Sequence, residues 1–139
     1  MRAHRLAKKR EHNRNYHARL LVLRRERYHS DPTYKLRVNV AREMRKQLEN
    51  GKGRRKWVDA VGYTADQLKT HLERQFTRSM SWSNYGVNGW HIDHIIPVAS
   101  FGPMEFGDAT FRACWALTNL RPLWSETNRK KKDKRELLL

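Results

Sequence analysis

The positive charge of this chain sits at its two ends, and that limits where a core can form. Residues 1–60 hold 19 Lys and Arg against 6 Asp and Glu. Residues 61–127 hold 5 against 6, and residues 128–139 hold 6 against 2. Self-repulsion opposes compaction of the first segment, while polyanions are drawn to it. The formal net charge is +16 and the apolar share is 38%, below that of a usual compact domain. A core is therefore expected over part of the length only. A one-signed excess of this size makes nucleic acid the first partner to consider. The plainer reading of any charge run is a solvated face with no specific partner.

Several classes drop out early. Cys114 is the single cysteine, so a disulfide within the chain and a multi-cysteine zinc site are excluded. A reducing, cytoplasmic setting fits that usage, in a host cell if the chain is phage-encoded. No apolar run approaches ~18 residues, so no membrane span is expected. The basic start is not followed by an apolar run, which predicts no secretory signal.

Residues 1–29 are rich in Arg, Lys, His and Asn and contain no Gly or Pro. They read as a solvated helix, or as an arm that becomes helical on DNA. Asp31-Pro32 is a helix start, with Asp as cap and Pro at the first helical position. Leu36, Val40, Met44 and Leu48 recur every fourth residue as one apolar stripe, and Gly51 ends the helix. Gly51 to Lys56 reads as a flexible basic linker. It separates an expected helical, DNA-binding arm over 1–55 from an expected catalytic domain over 56–139.

Thr64 and Gln67 form a capping box, with Tyr63 and Leu68 as a hydrophobic staple. Leu68, Leu72 and Phe76 make the buried stripe of that helix, and His71 beside it reads as structural. Trp82, Tyr85 and Trp90 pin the following loop; stacking on bases is the alternative to packing. Asp108 caps a short helix from Ala109 to about Leu117, with Phe111, Trp115 and Cys114 inward. Leu120–Trp124 reads as a strand that Pro122 restricts to an edge. Ser125 then caps a last helix bearing Asn128, Lys131 and Lys132.

The chemistry-bearing stretch is Trp90-His91-Ile92-Asp93-His94-Ile95-Ile96-Pro97. Ile92, Ile95 and Ile96 read as a short buried strand. Two histidines and a carboxylate in such a run need a partner or a metal. Alternation puts Asp93 and His94 on opposite faces of an ideal strand. A centre that used both would have to sit where the strand ends or twists.

This stretch, followed by Asn119-Leu120, Asn128 and Lys131, resembles the HNH (ββα-metal) endonucleases, in particular their small phage and prophage members. The spacing of nine residues from Asn119 to Asn128 matches the family's pattern, and the core resemblance covers about residues 88–135. The gap between Pro97 and Asn119 exceeds that of the shortest members, so an insertion is expected there. The resemblance implies an α+β fold: a ββα-metal core with additional helices and a basic helical arm. It implies a metal-dependent DNA endonuclease that hydrolyses one strand per active site. His94 would be the general base, Asp93 and Asn128 the metal ligands, and Asn119 the catalytic-loop residue that holds His94 in place. Two oxygen donors suit one Mg²⁺ or Mn²⁺ better than zinc.

His91 shares a strand face with Asp93. It could touch phosphate or the metal, or hold Asp93 by a hydrogen bond. Arg121, Arg129, Lys130, Lys131 and Lys132 would neutralise phosphates near the site, Lys131 being the one the family pattern matches, and Arg45, Lys46, Arg54 and Arg55 of the arm, with Lys56 just beyond it, would bind double-stranded DNA. The chain would act as a monomer or homodimer, away from membranes. A basic nucleic-acid-binding protein, or an accessory of phage packaging or replication, would explain the charge equally well without turnover. It would leave Asp93, His94, Asn119 and Asn128 unexplained.

Overall fold

A computed structural model describes residues 1–128. The fold is α+β: helices with one small antiparallel sheet. Two compact units are present, one over Met1–Lys35 and one from Leu36 onward. The expected boundary at 55 thus falls inside the second unit. The reason is the apolar stripe of the second helix, which is buried together with residues from the rest of that unit.

In the first unit, α1 (Arg2–Ser30) has no buried residue; its few apolar side chains, Leu6, Tyr16, Leu21, Val22 and Leu23 among them, are exposed. It ends at Asp31, whose carboxylate accepts from the Tyr34 backbone N–H at 3.2 Å and from Arg27 Nε at 3.4 Å. The Arg27 guanidinium lies 4.4 Å from the Tyr34 ring centroid. Asp31 is thus the cap that starts α2 (Pro32–Gln47).

In the second unit, Leu36, Val40, Met44 and Leu48 are buried with Trp57, Leu68, Leu72, Trp90, Phe111, Trp115 and Leu120. Two indoles fix the ends of that stripe. Trp57 Nε1 donates to the Arg37 carbonyl at 3.2 Å, and Trp115 Nε1 donates to Gln47 Oε1 at 3.0 Å. After the short α3 (Val58–Val61), the capping box opens α4 (Ala65–Glu73), with Gln67 N donating to Thr64 Oγ1 and Thr64 N to Gln67 Oε1. Tyr63 is buried, and its hydroxyl donates to the Trp115 carbonyl at 2.6 Å. His71 Nε2 bonds the Leu120 carbonyl at 2.9 Å, a structural tie.

The pinned loop packs rather than presenting its rings. Tyr85 stacks on Trp90 at 4.6 Å, and Phe76 and Trp82 meet Trp90 edge-on. Trp90 opens β1 (Trp90–His94), which pairs antiparallel with β2 (Leu120–Trp124). The register sets Asp93 opposite Arg121, Ile92 opposite Pro122 and His94 opposite Leu120. In a two-stranded sheet Pro122 needs no donor on its outer side, which is why it is tolerated. Between the strands lie α5 (Ala109–Cys114), capped by Asp108 at 2.7 Å, and two 3₁₀ turns. α5 stops at Cys114, short of the expected Leu117, and a 3₁₀ turn covers Leu117–Asn119.

One expectation about β1 is corrected. Ile95 and Ile96 lie beyond the strand and are 43% and 53% exposed, while the buried members of β1 are Trp90 and Asp93. The chain leaves the sheet at His94 because Asn119 captures the next two backbone N–H groups, through its carbonyl at Ile95 and its side-chain oxygen at Ile96.

Candidate active site at the end of β1

The site is built on four local devices. β1 and β2 supply two rows of side chains in fixed register. The second is Asn119, itself buried, at the entry to β2. Its amide accepts from Ile96 N at 2.7 Å and donates to the carbonyls of Ile96 at 3.2 Å and Cys114 at 2.9 Å. The third is the helical backbone over residues 125–128 that follows β2. Its first N–H, from Ser125, donates to the Gly89 carbonyl at 2.9 Å, so the start of that helix is tied to the start of β1. Gly89 is required there: a Cβ would lie 1.6 Å from the Asn84 carbonyl oxygen. The fourth is α2, described below.

Asp93 is only 7% exposed, and Arg121 Nε donates to its Oδ2 at 2.9 Å. His91 shares Asp93's side of β1 by alternation, and the Asn128 amide meets His91 Nε2 at 2.6 Å. His91, Asp93, Arg121 and Asn128 are therefore gathered by one face of the hairpin. A donating Asn128 amide requires His91 Nε2 to carry no proton. Burial also lowers the His91 pKa, against the opposing pull of the Asp93 and Glu43 charges.

His94 ends the strand. Its ring meets the Trp115 indole edge-on, with centroids 4.5 Å apart. Burial pushes its pKa down to about 4, although Asp93 and Glu43 favour the cation. Its Nε2 is buried and has no hydrogen-bond partner among the described residues. The imidazole is thus neutral at pH 7 and holds an unused polar atom at the strand end.

Glu43 and Trp115 are the neighbours that sequence reasoning missed. Glu43 is the single acidic residue of α2, and its charge reaches both His91 and His94. It also accepts from Lys46 Nζ at 3.3 Å, which places the expected DNA contact Lys46 in an exposed ion pair. Its only sequence signal is a lone carboxylate among Arg42, Arg45 and Lys46.

Arg121, expected at a phosphate, is tied to Asp93 in this structure. Arg45, Arg54, Arg55 and Lys56 lie together elsewhere in the second unit, around one pocket. Arg129, Lys130, Lys131 and Lys132 lie outside the described residues.

Among the described residues no group of three His, Cys, Asp or Glu is placed to enclose an ion. The Asp93 carboxylate and the Asn128 amide oxygen are hard donors on one face. Were Asp93 and Asn128 to hold a metal, two such oxygen donors would suit an ion that keeps several waters, as Mg²⁺ does.

No protein-family model matches the chain, and no solved structure matches it. It is similar to an uncharacterized protein of Acanthamoeba polyphaga mimivirus, with 31% identity over 110 residues, or 79% of this chain and 47% of that protein. The chain thus spans about half the length of that curated relative. No helix among the described residues is long and apolar enough to cross a membrane.

Proposed function

We propose that this chain is a metal-dependent DNA endonuclease of the HNH (ββα-metal) kind. The observation that carries the reading is the hairpin and its closure. Asp93 and His94 end one strand, the buried Asn119 amide clips the chain beyond them, and Asn128 on the following helix meets His91 beside Asp93. The spacing of Asn119 and Asn128 supports it independently.

In this reading His94 takes the proton of the attacking water. An imidazole held neutral by burial remains an acceptor across pH 5–8, and a positioned base contributes roughly 10²–10⁴ in rate. Asp93 and Asn128 would hold Mg²⁺ or Mn²⁺, which when bound polarises the scissile phosphate and stabilises the departing 3′-oxygen. Arg121 pairs with the Asp93 carboxylate when no metal is bound, and Asn119 clips the chain just beyond His94, where the strand ends. The basic α1 supplies sequence-independent attraction to the DNA backbone. A single such centre cuts one strand.

The Asp93–Arg121 pair favours a second reading, because it already neutralises the proposed metal ligand: a non-catalytic nucleic-acid-binding or phage packaging or replication accessory protein. Supercoiled plasmid incubated with Mg²⁺, Mn²⁺ or EDTA separates the two. Nicking that needs the metal, and that falls at least 100-fold in His94→Ala while DNA affinity is kept, is the expected result. No nicking with either metal leaves the accessory reading, and nicking that survives EDTA rejects the mechanism.

A further inference from the structure

The loop between α2 and α3 is more than a linker. Gly51–Lys56 closes on itself: Lys52 Nζ donates to the Arg55 carbonyl, and Arg55 Nε returns a bond to the Lys52 carbonyl at 2.9 Å. Arg55 also reaches the Gly51 carbonyl and lies 4.3 Å from the Phe106 ring centroid. Lys52 is 5% exposed. A lysine is almost never fully buried without a counter-charge, and among the described residues Lys52 has no ion-pair partner.

Around this loop lies a pocket of about 420 Å³. Six cationic side chains line it: Arg37, Arg45, Lys52, Arg54, Arg55 and Lys56. Among the described residues no acidic one does, and the remaining wall is apolar. Among the described residues none of the six forms an ion pair. We infer that this pocket is a binding site for phosphate groups, separate from the Asp93–His94 centre.

Three arguments carry it. First, the cluster is unfavourable without an anion. Burial and the neighbouring Arg45 and Arg55 charges all lower the Lys52 pKa, so the free protein holds a strained concentration of positive charge that a phosphate would neutralise. Second, the donor type fits. Guanidinium groups match phosphate oxygens in pairs, and an ammonium adds a point charge. Third, α2 divides the two sites. Arg37, Ala41 and Arg45 succeed one another at every fourth residue and face the pocket. Glu43, whose charge reaches His91 and His94, stands roughly 200° around the helix from Arg45 at ~100° per residue. One flank of α2 therefore faces the proposed catalytic centre and the other the cationic pocket.

The ligand is a phosphate-bearing anion, supplied either by a backbone phosphate of DNA or by a free oligophosphate. Only the first source rests on the nuclease reading. The test uses full-length protein in EDTA at fixed ionic strength, so it reads binding and not cleavage. Thermal shift with sodium tripolyphosphate should give a saturable stabilisation. Arg45 and Lys56 have exposed side chains, so Arg45→Ala with Lys56→Ala should fold and raise the midpoint concentration at least fivefold. Removing two exposed cations elsewhere, Arg78→Ala with Arg112→Ala, should leave it within twofold. A labelled duplex released at the same tripolyphosphate midpoint identifies backbone phosphate as the occupant. Saturable binding that leaves the duplex bound identifies a free oligophosphate. Stabilisation that never saturates, or a midpoint equal in wild type and Arg45→Ala/Lys56→Ala, overturns the inference.

Discussion

Asn119→Ala tests the mechanical centre of the site. The side chain makes three hydrogen bonds, to Ile96 N, the Ile96 carbonyl and the Cys114 carbonyl. Each contributes about 1 kcal/mol net, and a buried acceptor left without a partner adds about 1 more. The Ile96 groups can find water, since that residue is half exposed. The Cys114 carbonyl is interior and keeps its penalty. The expected loss is about 3–4 kcal/mol by urea unfolding in EDTA, followed by tryptophan fluorescence. Asn119→Asp sharpens the test because shape is kept. The introduced carboxylate still accepts from Ile96 N but faces two carbonyl oxygens with no proton to give. Its folded pKa must then rise above the unfolded value of ~3.9. A group with a raised folded pKa is more protonated in the folded state, so the deficit of this variant against wild type should shrink as pH falls from 7 to 5. A loss below about 1 kcal/mol for Asn119→Ala would refute the clip, given the ~1 kcal/mol expected of each bond. So would an Asn119→Asp deficit independent of pH.

His94 makes a pH prediction in the same metal-free assay. Its folded pKa of about 4 lies below the ordinary 6.5, so the unfolded chain takes up a proton that the folded chain refuses. Stability from this group is complete above pH 6.5 and is lost as pH falls toward 4. Between pH 7 and pH 4.5 wild type should lose roughly 2 kcal/mol more than His94→Leu, and equal losses would show that His94 does not titrate as a buried neutral group. Arg121→Ala should lower stability by roughly 2 kcal/mol, the scale of a hydrogen bond to a charged group. It should also strengthen Mn²⁺ binding in calorimetry, since a competing cation leaves Asp93. Mn²⁺ binding that weakens instead would make Arg121 a support of the metal site.

Local signals in the sequence reached the elements whose ends are written in two or three residues. Asp31-Pro32, Thr64 with Gln67, and Asp108 each cap the helix they predict, because a cap depends on neighbours three positions away. The α2 stripe was equally legible. What α2 divides was not. Periodicity names the buried face of a helix and says nothing about what its two flanks meet, so Glu43 and Arg45 read alike as solvated charges. Lys52 was hidden for a related reason: within Gly51–Lys56 every cation looks exchangeable, and only loop closure through Arg55 buries one of them.

The misread segment of β1 shows the limit most clearly. Ile92, Ile95 and Ile96 carry strong strand preference, and nothing within the stretch itself forbids continuing to Pro97. The chain departs at His94 because of a residue 23 positions away, whose amide offers Ile96 a donor and an acceptor at once. That exchange has a chemical consequence. Asp93 and His94 are adjacent rungs of β1, which alternation sets on opposite faces, so a ligand that met both would have to sit at the strand's end, where His94 is the last residue. His94 is the last rung of that ladder, in register with Leu120 as Asp93 is with Arg121, and its ring rests against Trp115 with Nε2 unbonded among the described residues. The exposure of Ile95 and Ile96 is thus the structural consequence of ending the ladder at the His94–Leu120 rung.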